Sequence, residues 1–328
     1  MTVQPTPYHK DYEITDAMFG AFRSPGGMPF FWKLLGWGTL LFFVFNFLTV
    51  PFMISTYTDF LVAAVEVENS PEDAMALMGS MGRFLGLVLL WSVAYFAVTA
   101  LIRAAFYRGY FFGETQATFP FRLGRDELQQ FLAGLGYWAL FYLFMFLSTL
   151  ALIVVVVVMT LLAALLPGEP GTALAMIGIL MLVLLYGLMV AVWIWFGVKF
   201  VCAGALTALR GTTHVMAARH VSKNRFWALF GSLLVAAIIG YAATNVAFYA
   251  AIGIGVSGFG ASDLFNLMTG TDLEASLEAI QAATQSTSFK LTTLLALLVA
   301  SAGYAFYSIL LAGPQAFFTR QWAEAGEG

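Results

Sequence analysis

Charged residues are scarce in this sequence, since only 10% of its 328 residues are Asp, Glu, Lys or Arg. Soluble domains carry about 25% charged residues, so the composition excludes an ordinary soluble globular protein. The chain also has a single cysteine, Cys202, which excludes a disulfide within the chain and a cysteine metal cluster. Because Cys202 lies in an apolar run, we expect it to be a small buried side chain.

Histidines and catalytic motifs are also sparse. The three histidines are His9, His214 and His220, and the spacing of the last two puts them on different faces of a helix. We expect solvated histidines and no metal site. The sequence contains no phosphate-binding loop, dinucleotide fingerprint or G-x-S-x-G elbow. We therefore predict no catalytic residue, no metal and no cofactor.

Apolar residues are abundant, at 61% of the chain. They fall in runs longer than about 20 residues, the length that crosses roughly 30 Å of hydrocarbon. The run LIVVVVVMTLLAALL at 152–166 does not alternate as the strands of a membrane barrel would. We predict an all-α polytopic membrane protein with six transmembrane helices, at about 29–55, 83–106, 137–166, 172–199, 226–252 and 291–313.

The polar segments divide the rest of the chain. We predict a cytoplasmic N-terminal segment at 1–28, a membrane domain at 29–320 with outer loops at 58–82 and 257–289, and a cytoplasmic tail at 321–328. Short helices are expected at 16–23 and, after Ser70-Pro71, at 71–82. The capping box Thr271-x-x-Glu274 predicts an amphipathic helix in the second outer loop.

Three features bear on the shape of individual spans. Proline removes a helix hydrogen bond, so we expect a kink at Pro51 and the end of the sixth span at Gly313-Pro314. The apolar run at 131–166 exceeds one perpendicular crossing. We therefore expect residues 127–136 to lie along the membrane interface before the third span turns inward.

Lysine and arginine are distributed unequally between the two predicted sides. The side opposite the termini has only Arg83 and Lys290, each at a span boundary. By the positive-inside rule, both termini are expected in the cytoplasm and the acidic loops outside. The cations on the predicted cytoplasmic side are Lys10, Arg23, Lys33, Arg103, Arg108, Arg122, Arg125, Lys199, Arg210, Arg219, Lys223, Arg225 and Arg320.

The spans show a weak threefold pattern. The odd-numbered spans begin with FWKLLG at 31–36, FLAGLG at 131–136 and FWALFG at 226–231. The even-numbered spans end in apolar or aromatic residues and an arginine, as AAFYRG, ALTALRG and QAFFTR. This pattern predicts three parallel helical-hairpin repeats with short interfacial elbow helices on the cytoplasmic side. Aromatic belts at membrane interfaces would place similar residues there without any repeat, so both interpretations stay open.

Two of the elbows share a pattern of residue types. AMFGAFRSPGGMPFFWKL at 17–34 and VMAARHVSKNRFWALF at 215–230 both run from small apolar residues through arginine and serine to Phe-Trp. The pattern suits an interfacial amphipathic helix, with basic residues near anionic headgroups and tryptophan at headgroup level.

This elbow pattern, over about 207–240 and more faintly over 17–40, resembles that of uncharacterised bacterial six-helix inner-membrane proteins. They include the membrane region attached to some glycerophosphoryl diester phosphodiesterases. The resemblance implies an inner-membrane location and a lipid-related context. It carries over no catalytic residue, and this chain has no phosphodiesterase domain.

Intramembrane charge is the default indicator of function in such proteins, and Arg103 and Lys199 are the deepest cations. Each either extends to the headgroups or faces a cavity that binds an anionic headgroup. A second candidate is an intramembrane polar site formed by Asn46, Thr244 and Asn245, which could equally be hydrogen-bonding contacts between helices. The candidate headgroup-binding residues are Arg103, Lys199, Arg122, Arg125, Arg210 and Arg219.

The function most consistent with these observations is a non-enzymatic lipid-interacting, scaffold or accessory protein of the bacterial inner membrane. We expect anionic lipids as partners and no nucleic acid; a homo-oligomer or partner membrane proteins stay open. One alternative is a membrane enzyme acting on a lipid headgroup at the cytoplasmic interface. The other is a small-molecule transporter or channel, against which the lack of a mid-membrane carboxylate counts.

Overall fold

The computed structural model describes residues 14–69, 74–165, 169–223, 225–256 and 287–325. Within these ranges the chain is helical almost throughout and contains no strand, which confirms the all-α prediction. The described helices are α1 (Ile14–Met18), α2 (Gly27–Asn69), α3 (Ala74–Phe112), α4 (Arg125–Leu165), α5 (Glu169–Phe200), α6 (Ala203–Arg210), α7 (Ala218–Val221), α8 (Phe226–Val256) and α9 (Thr287–Glu324).

Six of the described helical segments are long and apolar enough to cross a membrane. They are α2, α3, α4, α5 together with α6, α8 and α9, and their most apolar windows have mean hydropathies of 1.8 to 2.8. A helix in lipid satisfies its own backbone hydrogen bonds, so such stretches are stable there despite runs such as the five valines of α4. The chain is a multi-pass membrane protein, as the sequence predicts.

The helices run further than the predicted spans. Helix α2 continues through Pro51 to Asn69, and α3 begins at Ala74, so the predicted separate helix at 71–82 is the start of α3 over its described residues. Helix α4 passes through 127–136 without a break. Near the N-terminus, the helix ends at Met18 and the residues up to 23 form turns. The predicted helix at Thr271–Glu274 lies outside the described residues.

The expectation that helix six ends at Gly313-Pro314 is wrong, because α9 continues through Pro314 to Glu324. The reason is packing. Phe318 and Trp322 lie beyond the proline and are almost completely buried, in a cluster with Val221 of α7 and Leu229 of the first turn of α8. Burial of two large aromatic side chains outweighs the one backbone hydrogen bond that proline removes.

The long helices form three hairpins. In the hairpin of α8 and α9, Gly240 faces Tyr307 while Thr244 faces Gly303, so the two helices are antiparallel. Ring contacts likewise join α2 to α3, and Ser148 of α4 accepts a hydrogen bond from Trp193 of α5. Helix α9 packs on α2, and α3 packs on α4, whereas α5 touches α8 only sparsely.

All three hairpins point the same way. Helix α2 is antiparallel to α9, since Phe42 contacts Tyr304 and Asn46 contacts Ser301, and α3 is antiparallel to α4. Helices α2, α4 and α8 therefore begin at one end of the bundle, which we call the basic end. This is the orientation that three parallel hairpin repeats require.

The packed core lies towards the basic end. The largest completely buried side chains include Phe31, Phe106, Tyr107 and Phe318, all within a few turns of that end. By contrast, the most apolar windows of α4 and α5 contain no buried residue. The hairpin of α4 and α5 thus presents its surface outward, to the hydrocarbon.

Two elbows close the basic end around α9. The chain breaks after α5 at Val201 and Cys202. Helix α6 ends at Arg210 and is capped by Gly211, whose φ of 67° lies in the left-handed region that favours glycine. Cys202 is buried, as predicted. The elbow before α2 brings the backbone of Ala21 against Gly313, where an added Cβ would lie 2.8 Å from the Ala21 nitrogen.

Candidate functional site

Arg103 of α3 lies beside a small cavity inside the bundle. The residue is nine positions before the end of α3 at Phe112, or about 14 Å along the axis. The cavity has a volume of about 50 Å³ and lies between α3, α4, α6 and α9. Its polar lining is formed by Thr99, Arg103, Tyr107, Gln130, Tyr137 and Gln315.

The guanidinium of Arg103 is incompletely satisfied. Its Nε is buried and has no hydrogen-bond partner among the described residues. The described residues that line the cavity include no carboxylate. An arginine carries five donors and a permanent charge, so this cavity supplies a cation with no anion of its own.

The neighbouring polar groups bond to one another. The Tyr107 hydroxyl donates to Gln315 Oε1 at 2.7 Å, and Gln130 Nε2 donates to the carbonyl of Gly204 at 2.7 Å. Both contacts hold helices together around the cavity, α3 to α9 in one case and α4 to α6 in the other. These hydrogen bonds hold the lining side chains of the cavity in place, and neither of them neutralises the charge of Arg103.

Arg108, five residues further along α3, shows the opposite arrangement. Its guanidinium is buried in an ion pair with Glu127 of α4, and Nη2 also donates to the carbonyl of Pro120 at 2.9 Å. Glu114 lies 3.8 Å from Arg108 and 3.1 Å from Arg122. These charges balance one another within the segment that joins α3 to α4.

A second polar cavity, of about 100 Å³, adjoins these ion pairs. It is lined by Arg108, Arg122, Glu114 and Asp126 among others, and shares Gln130 with the Arg103 cavity. Because both signs of charge line it, this cavity has no net preference for an anion. Arg122, a predicted headgroup ligand, belongs here, with a side chain that is mostly exposed.

The other predicted headgroup-binding cations lie apart from the Arg103 cavity. Lys199 sits over the ring of Trp195, and Arg210 sits over the ring of Trp322 at 5.0 Å. Arg219 is exposed and contacts His220, and Arg125 is exposed at the first turn of α4. The structure therefore does not gather the six predicted residues into one site.

The three polar residues predicted within the membrane occupy two separate interhelical contacts and one outer face. Asn46 is buried and donates to Ser301 of α9 at 3.1 Å. Thr244 donates to the carbonyl of Gly303 at 3.1 Å, on the opposite face of α9, since two residues turn a helix by about 200°. Among the described residues, Asn245 donates to the carbonyl of Tyr241 in the preceding turn of its own helix.

No metal site is evident in the described part of the chain. Within it, no group of three or more His, Cys, Asp or Glu side chains could hold an ion. His214 and His220 are both exposed in the elbow between α6 and α8.

The sequence argument missed two parts of this region. It did not identify Tyr107, Gln130, Tyr137 or Gln315, although the two glutamines stand out as polar residues in apolar helices. It also missed an apolar groove of about 440 Å³, lined by α4, α5, α8 and Leu311 of α9. The groove results from the sparse contact between α5 and α8, which the sequence does not encode in any local pattern.

The site is thus an arginine whose Nε has no described partner, in a small cavity without a described carboxylate, beside paired charges at the basic end of a six-helix bundle. A guanidinium in such surroundings has the chemistry to bind phosphate or carboxylate oxygens. Comparisons of the chain with family models, with curated proteins and with solved structures found no match.

Proposed function

We propose that the protein is a non-enzymatic, lipid-interacting component of the bacterial inner membrane, and that Arg103 binds the anionic headgroup of a lipid. The observation that carries the proposal is the buried Nε of Arg103, which has neither a hydrogen-bond partner nor a cavity-lining carboxylate among the described residues. The resemblance of the elbows to those of six-helix inner-membrane proteins adds support. A scaffold or accessory role for other membrane proteins is compatible with this binding.

Binding of an anion from outside the chain would compensate the charge of Arg103. Arg103 is partly buried, and a charge within a membrane helix without a counterion is unfavourable, so such residues usually pair or serve a function. Guanidinium groups bind phosphate and carboxylate oxygens through short charge-assisted hydrogen bonds. In a bilayer, lipid phosphates are the most abundant anions within reach.

The size of the cavity fits one anionic group. Its volume of about 50 Å³ exceeds what a single water needs but is far below the roughly 300 Å³ of ordinary small-molecule pockets. A phosphate or carboxylate group suits this space better than a whole soluble metabolite does. This size also argues against an enzyme that must enclose a complete substrate there.

Loss of a bound lipid tests the proposal. The variant Arg103→Gln removes the charge and keeps a polar side chain, and we expect at least about a tenfold loss of the anionic lipid that co-purifies with the protein, since charged hydrogen bonds contribute about 1.5–3 kcal/mol. Native mass spectrometry and lipid extraction measure the retained lipid. The matched control is Arg125→Gln, which removes an exposed arginine at the same end. Equal retention in wild type and Arg103→Gln contradicts the proposal.

The proposed orientation places the basic end and both termini in the cytoplasm. It rests on the lysine and arginine distribution, which includes the ion-paired segment between α3 and α4 and the elbow between α6 and α8. Met75 is 86% exposed at the opposite end of α3, and Thr213 is exposed in the elbow.

Thiol labelling tests this orientation, because the only native cysteine is buried. In a Cys202→Ser background, we expect Met75→Cys to react with a membrane-impermeant maleimide in intact spheroplasts. Thr213→Cys should react only after the membrane is permeabilised. The reverse labelling pattern would show that the basic end faces outward.

A further inference from the structure

We infer that the ligand of Arg103 is a phospholipid bound as one piece, with its phosphate at Arg103 and one acyl chain in the apolar groove between α5 and α8. This inference rests on the proposed function and deepens it. The proposal above concerns only the headgroup. The inference adds a binding site for an acyl chain, which is formed by other residues than those that contact the headgroup.

The groove has the chemistry of a chain-binding site. Its volume of about 440 Å³ lies within the usual range for ligand pockets, and its lining is almost wholly apolar. Val190 and Trp193 of α5 line one side, and Leu234 and Ala237 of α8 line the other. All four residues belong to segments long and apolar enough to cross the membrane, where lipid chains are the surrounding solvent.

The groove adjoins the Arg103 cavity, and this proximity points to the occupant. Tyr137 and Val201 line both the polar cavity and the groove. A molecule with an anionic group at Arg103 therefore has the groove as its immediate neighbour. The two halves match the two ends of a phospholipid, a compact charged group and a long apolar chain, and they do not match a soluble anion.

Tyr137 stands at the junction of the two halves. Its hydroxyl lies 3.5 Å from the carbonyl of Gly197 in α5, a long hydrogen bond. Breaking a hydrogen bond this long costs little free energy. The ring of Tyr137 can therefore shift so that the glycerol backbone of a lipid passes beside it. The side chain of Tyr137 combines a polar hydroxyl with an apolar ring and lines both the cavity and the groove, which suits a headgroup–chain boundary.

Two variants narrow the groove without touching Arg103. Ala237→Phe places a ring in the space that a chain would occupy, and Leu234→Trp does so from the next turn of α8. The matched control is Ala242→Phe, since Ala242 is on the same helix, is exposed and is absent from the groove lining. Correct folding is checked by the melting temperature of each variant in the same detergent.

Two ligands, one with and one without acyl chains, distinguish binding of the headgroup from binding of the chain. Delipidated protein is titrated with dioleoyl phosphatidylglycerol and followed by native mass spectrometry. A parallel titration uses glycerol phosphate, which has the anion and no chain, and is followed by phosphorus NMR. We expect Ala237→Phe and Leu234→Trp to weaken phosphatidylglycerol binding by about fivefold to a hundredfold, the range that overpacking penalties correspond to. Glycerol phosphate binding should be unchanged in both variants, and Ala242→Phe should bind both probes as wild type does.

Each other outcome overturns the inference in a distinct way. If the groove variants bind phosphatidylglycerol normally while Arg103→Gln does not, the headgroup site stands and the chain site is wrong. If the groove variants instead change the oligomeric state without affecting lipid binding, a helix of a second copy occupies the groove. If Arg103→Gln binds both probes like wild type, the proposed function itself fails.

Discussion

The variant Glu127→Ala is expected to lose about 3 kcal/mol or more of its free energy of unfolding. Glu127 is the buried counterion of Arg108, and both side chains are more than nine-tenths inaccessible. Removing one partner of a buried ion pair leaves the other as an uncompensated buried charge, which costs about 3–5 kcal/mol. Unfolding in mixed micelles with an increasing fraction of denaturing detergent measures the change.

Two controls separate the ion pair from other effects of this substitution. Asp126→Ala removes the adjacent carboxylate, which is exposed, and we expect it to change stability by less than about 0.5 kcal/mol. The double variant Arg108→Met, Glu127→Leu replaces both charges with apolar groups and should recover most of the lost stability. A single variant as stable as wild type would show that Arg108 finds another acceptor, such as Glu114.

The variant Gly303→Leu should disrupt a close backbone approach between α8 and α9. A Cβ at residue 303 would lie 2.9 Å from the Ala247 Cβ and 3.1 Å from the Thr244 Cα. Helices in lipid associate through such close backbone approaches between small residues. A leucine at this position forces α8 and α9 apart. We expect this to lower the free energy of unfolding by about 3 kcal/mol, measured by unfolding in detergent. The hydrogen bond from Thr244 to the carbonyl of residue 303 should also be lost.

Gly231→Leu provides the comparison for this variant. Gly231 is also a helical glycine of the same hairpin, but an added Cβ there meets no atom within 4 Å. We expect its melting temperature in detergent to stay close to that of wild type. If both leucine variants melt alike, tight packing of α9 on α8 is not what stabilises this hairpin.

The six membrane-spanning helices can be predicted from the sequence because the hydrocarbon interior imposes only simple requirements on a spanning segment. A chain must provide about 20 apolar residues per crossing and must satisfy its backbone internally, and both requirements can be evaluated from local composition. The burial of Cys202 follows in the same way. Helix ends are harder, because Pro314 is a local signal to stop that the burial of Phe318 and Trp322 overrides. That burial depends on an elbow nearly a hundred residues earlier in the chain.

In the candidate site, too, local features can be predicted from the sequence, whereas contacts between distant residues cannot. The sequence identifies Arg103 as one of the two deepest cations, since depth within an apolar run is a local property. It cannot tell that Arg108 is neutralised and Arg103 is not, because this depends on which helix carries Glu127 towards α3. Nor does it bring Gln315, more than two hundred residues away, to the hydroxyl of Tyr107.

The position of α9 in the bundle has a consequence for how the protein is made. Helix α9 packs on α2, α3 and α8 and receives both elbows. The contact between Asn46 and Ser301 alone spans 255 positions of the chain. During synthesis, the first hairpin is therefore inserted before α9 is made, and until then Phe31 and Phe42 lack their ring contacts with Phe306 and Tyr304. The final assembly of the bundle is then a late step that joins hairpins already inserted.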